Sequence, residues 1–128
     1  MIDIESSVFN TVANALRSSY NGISVYGEYV ESPSSFPSVS LVEDDNSEVV
    51  GNRTLARMPE TACSLMYTAN VYSNLKTGKK AQAKSIMDTI DAKMHEMGFT
   101  RTMRSQLPNV DRTIYRVTAR YTQTYQTF

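Results

Sequence analysis

Residues 61–99 read TACSLMYTANVYSNLKTGKKAQAKSIMDTIDAKMHEMGF, and the apolar period changes once along them. From Thr61 to Ser73 the period is two. Cys63, Leu65, Tyr67, Ala69 and Val71 share one face, and Ser64, Met66, Thr68, Asn70 and Tyr72 share the other. Alternation of this length predicts a strand. Apolar groups on both faces predict a central strand covered on both sides. Asn74 to Gly78 form the turn out of it. From Lys79 to Met97 the apolar residues Ala83, Ile86, Met87, Ile90, Met94 and Met97 recur at helical spacing, while Lys80, Lys84, Asp88 and Asp91 fall elsewhere. A helix with one apolar stripe must lie on something, and a sheet is the available surface. Gly98 stands where the left-handed residue after a helix belongs. Phe99 can then pack back on Met94 in a Schellman ending.

Downstream, Thr100 to Leu107 alternates Met103 and Leu107 against Arg104 and Gln106. Pro108 to Asp111 is a turn, and Arg112 to about Tyr125 is a long strand. Thr113, Tyr115, Val117, Ala119, Tyr121 and Tyr125 share one of its faces, and Arg112, Ile114, Arg116, Thr118 and Arg120 the other. Antiparallel pairing across the turn predicts a hairpin.

Upstream, Asp3 to about Tyr20 carries Ile4, Val8, Val12, Ala15 and Leu16 on one helical stripe. Asp3 is the N-cap, and Glu5 suits the positive end of the helix dipole. Asn21-Gly22 stops the helix. Ile23 to Tyr26 alternates as a short strand, with Gly27 at a bulge or a close approach. Residues 31–35 are a Pro/Ser loop, and Pro37 delays the next strand to Ser38–Glu43. Glu43 to Glu48 reads as an acidic turn, and Val49 to Glu60 as a strand edge followed by a long loop. The expected fold is α/β of the α+β kind, in the order α-β-β-(β)-β-α-β-β. Its sheet is mixed and largely antiparallel, with two helices packed on it, in one domain over residues 1–128.

Composition supports a globular chain of that size. Hydrophobic residues make up 41% and charged residues 20%, too apolar for disorder. No apolar run approaches the roughly 18 residues a membrane span needs. MIDIESSVFN lacks a basic-then-apolar leader, so folding in a cytoplasm is expected. The net charge is zero, which argues against general affinity for nucleic acid or anionic membrane. The charge is nonetheless uneven. Residues 1–60 hold nine acidic and three basic side chains, and residues 61–128 hold four and ten. If the halves form different faces, copies can pair head to tail; if they interleave, the fields cancel.

Candidate chemistry is sparse. Cys63 and His95 are the only cysteine and histidine, so neither a disulfide nor a structural zinc set can form from them. Cys63 reads as a buried small hydrophobe and His95 as a helix C-terminal residue. Asp88 with Asp91, and Asp44 with Asp45, are paired carboxylates without calcium-loop spacing, and Lys84 lies one turn before Asp88. Residues 74–80 have a Gly-Lys ahead of a helix, but Ser73 replaces the first glycine of a phosphate loop and Lys80 its Ser/Thr. No catalytic residue, metal site or cofactor is expected. The row Arg112, Arg116 and Arg120, with Arg101 and Arg104 on the partner strand, reads either as the solvated face of a hairpin or as a contact surface for acidic partners or for a DNA backbone. Tyr115, Tyr121 and Tyr125 point to the opposite face, which disfavours a base-stacking platform.

Several segments together carry a family likeness: Ala69-Asn70-Val71-Tyr72-Ser73-Asn74, Lys79-Lys80-Ala81-Gln82-Ala83, Ile86 to Asp91, Met97-Gly98-Phe99-Thr100-Arg101, and Asp111 to Arg116 before Arg120-Tyr121. Over about residues 60–125 the chain resembles the tail terminators of long-tailed bacteriophages, with the lambda-like terminator fold. The resemblance implies a structural virion protein of the tail or neck, assembled in the host cytoplasm. It implies a homohexameric ring that caps the tail tube, stops its polymerisation and joins it to the head connector, with DNA only passing through. A ring needs two complementary faces on each subunit. Arg112, Arg116 and Arg120 are expected to meet Glu43, Asp44, Asp45 and Glu48 of the next subunit. A head-completion or minor capsid neck protein, and a nucleic-acid-binding accessory protein, are the alternative readings.

Overall fold

The computed structural model describes residues 1–30, 33–49, 62–108 and 111–126. Two helices, α1 (Glu5–Ser19) and α2 (Lys79–Glu96), pack on one face of a five-stranded sheet. The strands are β1 (Ser24–Tyr26), β2 (Ser38–Glu48), β3 (Ala62–Ser73), β4 (Thr100–Leu107) and β5 (Tyr115–Gln126). Their spatial order is β1-β2-β3-β5-β4. β1 runs parallel to β2 and every other pairing is antiparallel, so the sheet is mixed and largely antiparallel as expected.

The core lies between the helices and that face. Val8, Val12 and Leu16 of α1 and Ile86, Met87, Ile90 and Met94 of α2 bury against Leu65, Tyr67, Val71, Val117 and Tyr121. Ala13 is fully buried while Ala15 is only half-buried, so the α1 stripe leans toward Ala13. The Asp3 carboxylate accepts from the Glu5 backbone N–H at 3.2 Å, which satisfies one of the free donors of the first turn. At the end of α2, Gly98 has φ +91° and Phe99 N–H bonds the Met94 carbonyl at 2.9 Å. This is the expected Schellman closure, and it tips the Phe99 ring edge-on into Tyr67 at 5.3 Å.

Three expectations are corrected. First, the acidic run is strand: β2 continues through Glu48, opposite Cys63, with a bulge between Glu43 and Asp45. Pairing with the long β3 supplies ladder bonds that outweigh the poor strand propensity of Asp and Asn. Second, β3 is central but the helices cover only one of its faces. Third, Arg112 lies in the turn before β5 rather than in the strand. The expected strand edge and loop at 49–60 lies, from residue 50 on, outside the described residues.

Candidate interaction face

The face of the sheet turned away from the helices is a shallow depression of about 460 Å³. Its floor is set by alternation. Val42 of β2, Met66, Thr68 and Asn70 of β3, Arg116, Thr118 and Arg120 of β5, and Met103 and Leu107 of β4 project to this side. Tyr29, 61% exposed, stands at its rim.

The depression is polar at its centre. Asn70 is buried in the middle strand, and its Oδ1 accepts from Arg116 Nε at 3.2 Å and Nη2 at 3.1 Å. The guanidinium carbon lies 5.7 Å from the Tyr72 ring centroid, within cation–π range. Tyr72 is buried on this same side and donates its hydroxyl to the Val30 carbonyl at 3.2 Å. Burial raises the Tyr72 phenol above its ordinary value, and the Arg116 charge partly offsets that. Arg116 is therefore held against the sheet by neutral groups. No ion pair joins Arg116 or Arg120 to a carboxylate among the described residues. A guanidinium fixed in place with donor capacity to spare suits a carboxylate or phosphate.

The other expected residues are distributed differently. Arg101 and Arg104 do not join the row. The register sets Arg101 opposite Tyr121 and Arg104 opposite Ala119, which turns both to the helix side. There Arg101 bonds Asp91 at 3.1 Å and Arg104 bonds Asp88 at 2.7 Å. These arginines, rather than Lys84, are the partners of the Asp88/Asp91 pair. Asp91 also accepts from the Tyr121 hydroxyl at 3.0 Å, and burial and that carboxylate push the Tyr121 phenol upward. His95 Nδ1 meets the Asp91 carbonyl at 3.0 Å near the end of α2. Arg112 is exposed, and its carbonyl accepts from Lys79 Nζ at 3.3 Å.

The acidic run splits at the bulge. Glu43 faces the helices and accepts from Tyr67 at 3.0 Å. Asp44 faces the depression and accepts from Thr68. Asp45 accepts from Ser47 Oγ at 2.9 and 2.8 Å, and Glu48 closes the strand, exposed. Asp44 and the two arginines thus share one face without pairing across it. Asn70 and Tyr72, which hold Arg116, were legible only as second-face residues of a strand. A polar side chain in the middle of a central strand was the signal for Asn70.

Among the described residues no group of three or more His, Cys, Asp or Glu side chains is placed to hold a metal, and no helix is long and apolar enough to cross a membrane. No protein-family model and no curated protein matches the chain. Among solved structures it is similar to the sheath/tube terminator of an extracellular contractile injection system, PVC, in its extended state. The match has 11% identity and a TM-score of 0.43, over 99% of this chain and 58% of the other. The chain thus spans less than two thirds of the length of that protein.

Proposed function

We propose that this chain is a structural virion subunit of the tail-terminator type, forming a ring that caps the tail tube, stops its polymerisation and joins it to the head connector. Its role is assembly, with no catalytic part. The observation that carries the reading is the sheet face turned away from the helices, where Arg116 is fixed by Asn70 and Tyr72 and neither it nor Arg120 has a carboxylate partner among the described residues. Oriented charge without an internal partner is what a heterologous contact requires. The resemblance over residues 60–125 supplies the class of assembly. In this reading Arg112, Arg116 and Arg120 meet acidic groups of Glu43 to Glu48 on the neighbouring subunit, six subunits close the ring, and DNA passes through it.

The test is mass by light scattering on the purified chain, alone and mixed with tail tubes. A sixfold species, or monomers that become caps on tubes, is the expected result. The charge reversal Arg116→Glu is expected to abolish assembly at physiological salt, and an Arg116→Glu protein that still assembles would remove that residue from the contact. The exposed guanidinium groups also keep a nucleic-acid reading in view. A monomer that ignores tubes but retards DNA at moderate salt would replace the terminator reading with that one.

A further inference from the structure

Folding gathers five cations of the second half at one end of the sheet. β3 ends at Ser73, and the turn after it carries Lys76 into the first two turns of α2, which hold Lys79, Lys80 and Lys84. Arg112, in the turn before β5, reaches the same place from far along the chain, because Lys79 Nζ donates to its carbonyl at 3.3 Å. Lys76, Lys80, Lys84 and Arg112 are exposed, and Lys79 is half-buried. Lys80 and Lys84 lie one helical turn apart along an open groove of about 620 Å³.

We propose that this end of the molecule binds the phosphate backbone of duplex DNA, through its charge and without regard to base sequence. Three observations carry this.

The first is that the charge is not neutralised within the subunit. No ion pair joins any of the five cations to a carboxylate among the described residues. The first turn of α2 has no acidic residue, and Asp88, further along it, is bonded by Arg104 at 2.7 Å. Asp111 beside Arg112 accepts from the Thr113 backbone N–H and hydroxyl at 2.9 and 2.7 Å. The Lys79 charge also holds the Asp111 carboxyl down, so these two offset each other and four cations are left.

The second is distance from the acidic stretch. Asn46 Nδ2 donates to the Ile2 carbonyl at 2.8 Å, which sets the start of α1, with Asp3 and Glu5, beside the acidic part of β2. Glu43 lies opposite Tyr67, six residues before Ser73 on β3, so roughly 20 Å of strand separates the acidic stretch from the basic end. That exceeds two screening lengths of about 8 Å at physiological salt. Zero net charge over the chain therefore does not cancel the field at this end.

The third is residue type. Residues 74–84 and 111–114, which form this end, hold four lysines and no aromatic side chain. Protein interfaces are depleted in lysine and centred on aromatic and arginine anchors. The sheet face has such anchors in Tyr29 and Arg116, and this end has none. Flexible ammonium groups acting as point charges suit a run of phosphates.

This goes beyond the ring reading, which uses the sheet face, and either can fail alone. Binding of a short fluorescent duplex of mixed sequence is followed by anisotropy on the full chain between about 50 and 200 mM salt. Four phosphate contacts should give a slope of log K against log salt of about −3.6, an affinity loss of roughly 150-fold over that range. Lys76→Gln, Lys80→Gln and Lys84→Gln, combined, should bring the slope to about −1 with the urea midpoint unchanged. Arg116→Gln with Arg120→Gln should leave the slope as it is. A wild-type chain that does not bind the duplex at the lowest salt, or a triple variant that binds as the wild type does, overturns the proposal. A slope set by the arginine pair instead moves DNA to the sheet face and overturns it too. Poly-glutamate that competes as well as DNA, charge for charge, overturns it in favour of an acidic protein surface. A chain that binds DNA through the lysines and never caps tubes keeps this site and loses the ring reading, and caps on tubes without DNA binding do the reverse.

Discussion

Removing the Asn70 side chain tests whether Arg116 is held by the sheet. In Asn70→Ala, Arg116 loses two bonds to one oxygen, at 3.2 and 3.1 Å, and Ser40 loses a weaker one at 3.5 Å. A hydrogen bond to a charged group contributes about 1.5–3 kcal/mol when well shielded. Arg116 is only half-buried, so water recovers part of that, and both bonds share one acceptor. A total loss of about 1–2 kcal/mol follows. The assay is urea unfolding of wild type, Asn70→Ala, Arg116→Ala and the double variant, with the slope checked for constancy. If the pair acts as a unit, the double variant should cost less than the sum of the single ones by about 1 kcal/mol. Additivity within roughly 0.3–0.5 kcal/mol would show that Asn70 does not hold Arg116 and would refute the pre-organised guanidinium.

Two further substitutions probe the helix-covered side. Burial raises the Glu43 carboxyl above its ordinary value; the Tyr67 hydrogen bond opposes this, and the Glu5 and Asp3 carboxylates add to it. The native state then holds the proton more tightly than the unfolded chain, so stability falls as pH rises through that interval. Glu43→Gln keeps an acceptor for Tyr67 and should raise the melting temperature at about pH 7 by on the order of 1–3 °C, the gain vanishing below the ordinary glutamate range; a gain that ignores pH would refute the charge argument. Gly98→Ala places a Cβ 2.7 Å from Gln123 Nε2 at φ +91°. Strain in the left-handed region plus that contact should cost about 1–3 kcal/mol in chemical unfolding, and a neutral result would mean the α2–β4 turn can relax into another ending.

The local elements were legible because their causes are local. The stripe from Ala83 to Met94 and the glycine after it define α2 and its ending within one stretch of chain. The alternation from Cys63 to Val71 likewise defines β3, and Val117 to Tyr121 one face of β5. These features depend on neighbours three or four residues away, or two. The acidic run was misjudged for the complementary reason. Asp44, Asp45 and Asn46 have poor strand propensity, and only pairing with Met66 and Leu65, about twenty residues on, makes them strand.

The sequence by itself determined the two helices and their stops, the strand character of β1, β3, β4 and β5, and the alternation of faces along them, because sterics and period act over a few residues. Only the tertiary structure decided which face of the hairpin looks away from the helices, and so that Arg116 and Arg120 have no carboxylate partner among the described residues while Arg101 and Arg104 are neutralised by α2. It also decided that β5 lies inside β4, which puts β4 at the edge of the sheet among the described residues. The physical reason is that register and strand order come from contacts between residues far apart in the chain. A shift of one residue exchanges the faces of every side chain without altering the local pattern.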